Sequence, residues 1–137
     1  MAYWLVKSEP SVYGWDKMVA DKRTFWSGVR NHQASNNLKA MKKGDLAFFY
    51  HSNEGLAIVG IVKIVKEYYP DHTDESGKFG MVDVEAVKPV ARAVTLAEIK
   101  AEPALKEFGL VRQSRLSVVA ATDEQWALLL KMTGTKA

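Results

Sequence analysis

Thr24-Phe25-Trp26-Ser27-Gly28-Val29-Arg30-Asn31 is the segment whose residue types could do chemistry on a flat ligand. An indole offers a stacking face and glycine lets backbone N–H groups approach closely. An amide reads a base edge, and a guanidinium meets a phosphate. Stacking on an aromatic side chain is worth about 1 to 3 kcal/mol per base, so a single platform already matters. The same residues also suit a bland role, with Trp26 in the core and Gly28 in a turn. Taken alone, the segment leaves both open.

Covalent chemistry is poorly supplied. The 137 residues contain no cysteine, which excludes disulfides, thiolate metal sites and a cysteine nucleophile. His32, His51 and His72 lie far apart and match no ligand spacing such as His-Glu-x-x-His, so no metal is expected. None of the nine glycines falls in a dinucleotide or P-loop spacing, which argues against a nucleotide cofactor. Ser52 follows His51, but neighbours on a strand point to opposite faces and do not share a hydrogen bond easily. Glu9 and Asp45 could form a carboxylate pair only if the fold brought them together. No catalytic residue, metal or cofactor is assigned.

Nineteen Lys and Arg against sixteen Asp and Glu give a formal net charge of +3. A mild basic excess is compatible with a polyanionic partner, and Lys39, Lys42 and Lys43 form its densest cluster, although such clusters are commonly solvated faces. The longest apolar stretch, 56–65, is interrupted by Lys63 and is much shorter than the ~20 residues of a membrane helix. The first residues, Met-Ala-Tyr-Trp-Leu-Val-Lys, lack a secretory pattern. The expectation is a cytoplasmic monomer without membrane association.

Ahead of that segment, Tyr3 to Lys7 reads as a first strand stopped at Pro10. A short helix capped by Ser11 is expected to run to about Lys22, weakened by Gly14. A second is expected from near Asn31 to before Gly44, with Ala34, Leu38 and Met41 on one face. Asp45 to His51 and Leu56 to Tyr69 predict two strands joined at Asn53-Glu54-Gly55, with Gly60 marking a bulge or tight bend. Pro70 to Lys78 reads as a loop, and Met81 to Val90 as a half-exposed strand. Leu96 to Phe108 predicts two short helices broken by Pro103, and Arg115 to Val119 a closing strand. Thr122 and Gln125 form a capping-box pattern that opens a last helix through Met132, with Trp126, Leu129 and Leu130 facing inward. Tyr3, Trp4 and Trp15 are left to the core. Short strands with local hairpins and peripheral helices indicate an α+β fold with a curled or barrel-like sheet of about five to six strands, in one domain spanning 1–137.

Six ordered segments resemble the successive signatures of the EVE family. They are Tyr3-Trp4-Leu5-Val6-Lys7-Ser8-Glu9-Pro10, Trp26-Ser27-Gly28-Val29-Arg30-Asn31-His32-Gln33-Ala34, Met41-Lys42-Lys43-Gly44-Asp45, Tyr50-His51-Ser52-Asn53, Val59-Gly60-Ile61 and Arg115-Leu116-Ser117-Val118. The resemblance implies a PUA-like barrel, related to YTH and ASCH domains, that reads modified bases, notably methylated or hydroxymethylated cytosine in DNA. It implies Trp26 as the aromatic wall, the backbone of Ser27, Gly28 and Val29 as pocket lining and Asn31 as an edge-reading amide. Lys7 and Ser8, with Tyr50, His51 and Ser52, would complete the rim. Arg30, Arg115, Lys42 and Lys43 are candidates for phosphate or pocket contact, with an ion pair to Glu9 the alternative for Arg115.

Three functions remain in view. The first is a reader of modified DNA, which must extrude the base from the duplex at a cost of a few kcal/mol. The second is an RNA-binding module, distinguished by contact with a ribose 2′-hydroxyl. The third is an ASCH-like enzyme acting on a nucleotide or small amide, for which His51, Lys7 and Glu9 are the nearby reactive groups. DNA with a modified base is ranked ahead of RNA, and both ahead of catalysis.

Overall fold

The structure, a computed structural model, describes residues 1–136. Six strands form one mixed sheet in the order β2-β5-β4-β3-β1-β6. They are β1 (Tyr3–Ser8), β2 (Arg23–Trp26), β3 (Leu46–His51), β4 (Ala57–Pro70), β5 (Gly80–Thr95) and β6 (Val118–Ala121). The helices are α1 (Pro10–Tyr13), α2 (Trp15–Asp21), α3 (His32–Ala40), α4 (Leu96–Ala101), α5 (Gly109–Arg112) and α6 (Asp123–Thr133). The sheet is curled and open, with β2 and β6 as its edges. This is the expected α+β class with short peripheral helices.

β1 lies in the middle of the arrangement that matters. It pairs in parallel with β3, Lys7 opposite Tyr50 and Ser8 opposite His51, and antiparallel with β6. Parallel pairing needs a crossover, which α1, α2, β2 and α3 supply. Leu5, Val6, Phe48 and Phe49 are fully buried at the centre. On one flank Tyr3 stacks on Trp126 at 4.6 Å and Phe48 stacks on the same indole at 4.1 Å, which docks α6. The Thr122–Gln125 capping box is present at the start of α6.

Several boundaries differ from the sequence reading. The first helix is split at Gly14 into α1 and α2, and Ser11 lies inside α1 rather than capping it. Pro10 opens α1 instead, because its fixed φ suits the first helical position and it has no N–H to lose. Arg23–Trp26 is a strand, a short edge segment held by pairing Trp26 with Val82. The closing strand begins at Val118, so Arg115 to Ser117 belong to a loop.

The bulge expected near Gly60 is real. Phe49 pairs with Gly60 but Tyr50 with Ile58, which leaves Val59 unpaired in β4. Gly60 is required there for space: a Cβ would lie 2.4 Å from the Trp15 ring. The Glu9–Asp45 carboxylate pair that the sequence left open does not form. Asp45 sits beside the start of β1, accepting from Trp4 Nε1 at 3.1 Å, whereas Glu9 follows its end and accepts from Asn53 Nδ2 at 2.6 Å. The six-residue strand between them separates the two by on the order of 20 Å.

Candidate functional site

At the end of β1, strand β2 and the loop after it wall a cleft of about 480 Å³. Lys7 and Ser8 face Trp26, Ser27, Gly28, Val29, Arg30 and Asn31 across it, with Tyr13 and Phe25 at its edges. Trp26 is the last residue of β2 and is largely buried, its ring edge-on to Phe49 at 5.5 Å. The indole therefore belongs to the core and lines the cleft at once. Phe25, on the opposite face of the strand, is 46% exposed and meets His72 edge-on at 4.7 Å.

The loop is held from beneath by a residue that the sequence reading did not single out. Asp71, whose side chain is shielded from solvent, accepts from Gly28 N at 2.8 Å, from Arg30 Nη1 at 3.0 Å, and from Thr73 N and Oγ1 at 2.7 and 2.6 Å. Burial opposes its charge, but hydrogen bonds from Thr73, Gly28 and Arg30 outweigh it and hold its pKa at about 2. Gly28 takes φ +84°, a conformation that only glycine adopts freely, and so turns its N–H down to the carboxylate. Arg30 is engaged by Asp71 and by Thr73 Oγ1 at 2.9 Å, with its side chain still 39% exposed.

Asn31 has a role beyond the expected one. Its Oδ1 accepts from Ala34 N at 2.9 Å and caps α3, which leaves the amide NH₂ as its free edge. Ser8 Oγ donates to the Tyr13 carbonyl at 2.6 Å, tying α1 to the rim. The Tyr13 phenol donates to Asp21, and burial together with that carboxylate pushes its pKa up to about 12.

The remaining expected residues are placed elsewhere. Tyr50, Ser52 and Arg115 line a neighbouring cleft that shares Lys7 and Ser8 with the first. His51 turns inward and accepts from Trp15 N at 3.1 Å. Burial lowers its pKa, opposed by Asp16, and so favours the neutral acceptor. Lys42 and Lys43 precede β3, and the parallel register puts that end beside Tyr3, away from the cleft. Arg115 forms no ion pair with Glu9 among the described residues. Lys7 reaches the Ser114 carbonyl at 2.9 Å, and burial lowers its pKa.

A model of the EVE domain matches residues 2–132. The chain belongs to the EVE domain family. Thymocyte nuclear protein 1 from Gallus gallus, a relative of this EVE chain, is 40% identical over 168 residues, covering 98% of this chain and 69% of that protein. A protein from Rhodopseudomonas palustris, solved by NMR, superposes with a TM-score of 0.92 at 56% identity, covering 98% of this chain and 94% of the other. Human THYN1 protein, solved in complex with 5-methylcytosine containing DNA, superposes with a TM-score of 0.90 at 37% identity over 100% of both chains. A YTH domain from Zygosaccharomyces rouxii shares the EVE fold more distantly, with a TM-score of 0.60 at 16% identity.

Proposed function

We propose that this EVE chain is a binding module that takes a modified base, 5-methyl- or 5-hydroxymethylcytosine in DNA, into the cleft walled by Trp26 to Asn31. The observation that carries this reading is the pre-set loop: Asp71 fixes the Gly28 backbone and Arg30 in place before any ligand arrives. A site already ordered loses less entropy on binding, which helps offset the few kcal/mol needed to extrude a base from a duplex. The 5-methylcytosine DNA in the complex of human THYN1, whose solved chain is similar over its whole length, supports the choice of ligand. A cleft of about 480 Å³ lies within the usual size range of small-ligand sites. Under this reading the chain acts by recognition rather than catalysis, as a monomer in the cytoplasm.

The test is titration of fluorescent DNA and RNA oligonucleotides carrying plain, 5-methyl or 5-hydroxymethyl cytosine at two salt concentrations. Tighter binding to modified DNA that survives added salt is the expected result, because screening weakens phosphate contacts more than base contacts. Equal binding to every oligonucleotide, lost in salt, would sink the reading. A preference for RNA would move it to the ribose-reading alternative.

A further inference from the structure

Lys7, Ser8 and Ser117 form a wall common to two clefts. The second cleft, of about 710 Å³, lies across that wall from Trp26. Leu56, Leu96 and Leu110 give it apolar lining, and Leu56 is 40% exposed. Lys100 and Arg115 line it as well, both exposed and engaged in no side-chain hydrogen bond or ion pair among the described residues. Its one carboxylate, Glu9, is already occupied by the Asn53 amide. Three cations, Lys7, Lys100 and Arg115, against the single carboxylate leave the cleft net positive over an apolar surface, which suits a ligand with an anionic group and a flat, weakly polar ring. A nucleotide has both.

Continuity then selects which nucleotide. A base seated against Trp26 belongs to a strand that must leave the first cleft, and the Lys7–Ser8–Ser117 wall leads directly into the second. We propose that the second cleft binds the nucleotide adjacent to the modified one in the same strand, its phosphate met by Arg115 and Lys100 and its base resting on Leu56 and Leu96. This rests on the base-pocket reading above. It assigns Arg115 to the neighbouring nucleotide rather than to the modified base, and it makes the protein a reader of at least two consecutive nucleotides.

The experiment compares three probes, plain 2′-deoxycytidine, 5-methyl-2′-deoxycytidine and a trinucleotide carrying the methylated nucleoside at its centre, on the wild type and on the double variant Arg115→Gln, Lys100→Gln. Both substituted residues are exposed, and unchanged melting temperature checks the fold. The wild type should bind the trinucleotide at least about tenfold more tightly than the nucleoside, a difference of one decade in Kd. In the variant that advantage should shrink to about twofold or less while nucleoside affinity stays unchanged, and the salt slope of trinucleotide binding should fall by about 0.7 for each lost phosphate contact. A variant that keeps the full advantage, or one that loses nucleoside and trinucleotide binding equally, overturns the second subsite alone. A wild type that binds methylated and plain deoxycytidine equally overturns the modified-base reading and this inference with it.

Discussion

Asp71 accepts the Gly28 N–H at 2.8 Å across 43 residues of sequence, so the loop beside Trp26 takes its shape from the segment between β4 and β5. The same carboxylate oxygen also accepts from Arg30 Nη1 at 3.0 Å, which joins the loop's backbone to its guanidinium. Asp71→Asn keeps the volume but weakens every bond the carboxylate accepts and leaves Arg30 without its counter-charge. Hydrogen bonds to charged groups are worth about 1.5 to 3 kcal/mol, so a stability loss of about 1 to 3 kcal/mol is expected. Chemical denaturation measures it. The same variant should bind modified DNA more weakly, because the pocket backbone must then be ordered on binding.

Acid should destabilise the protein in two steps. The His51 pKa is lowered from 6.5 by burial, so the unfolded chain takes up its proton first. The contribution of neutral His51 is therefore complete above pH 6.5 and is lost as pH falls through the lowered value. Asp71 follows, with a pKa of about 2 in the folded protein against 3.8 ordinarily. Its contribution is complete above about pH 4 and disappears as pH falls towards 2. Discounted for the exposed guanidinium of Arg30, that second loss is about 1 kcal/mol. Melting temperature recorded from pH 8 to pH 2 should show both steps, and His51→Gln should remove the first while keeping the second.

The fold was legible where the signal is local. A β-branched run marked β4, alternation from Met81 to Val90 marked β5, Thr122 and Gln125 marked the start of α6, and Ala34, Leu38 and Met41 on one face marked α3. β2 was not, because four residues at a sheet edge carry no periodicity and are fixed only by pairing with β5. The candidate pocket wall was legible for a similar reason: Trp26 to Asn31 are consecutive, so their proximity needs no tertiary information. Asp71 was invisible, since an aspartate in a polar loop resembles any other until the fold brings Gly28 to it. Arg115 and Tyr50, expected at the rim or in contact with the ligand of the first cleft, fall on the far side of the Lys7–Ser8 wall, a division that depends on where β6 begins. Phe25 was passed over because only the strand alternation shows that it points away from Trp26.

Gly60→Ala tests the link between the bulge and the inward histidine. The added methyl would lie 2.4 Å from an indole that is itself buried, so the Trp15 ring or β4 has to move. Overpacking of this kind costs about 1 to 3 kcal/mol. A shift that carries the Trp15 backbone with the ring also disturbs the backbone N–H bond to His51 Nε2 at 3.1 Å. The variant should melt lower, and the His51 imidazole signal followed by NMR should titrate closer to 6.5 than in the wild type. An unchanged titration with reduced stability would mean that the strain is absorbed in β4 alone.

Phe25 and Trp26 are consecutive, yet their alanine variants should separate binding from folding. Trp26→Ala empties space against Phe49, and truncating a buried tryptophan costs about 3 to 5 kcal/mol, so weakened DNA binding in that variant would be hard to distinguish from loss of structure. Phe25 is 46% exposed and meets His72 only edge-on, so Phe25→Ala should change stability by no more than about 0.5 kcal/mol. Removing an aromatic edge from the cleft should nevertheless weaken binding of modified DNA by about 1 kcal/mol or more, if the base or its neighbour packs on that ring. Fluorescence anisotropy with a methylated oligonucleotide and a parallel thermal melt give both quantities. Full affinity in Phe25→Ala would confine base contact to the Trp26 side of β2. Loss of affinity with an unchanged melting temperature would make both faces of the strand part of the binding site.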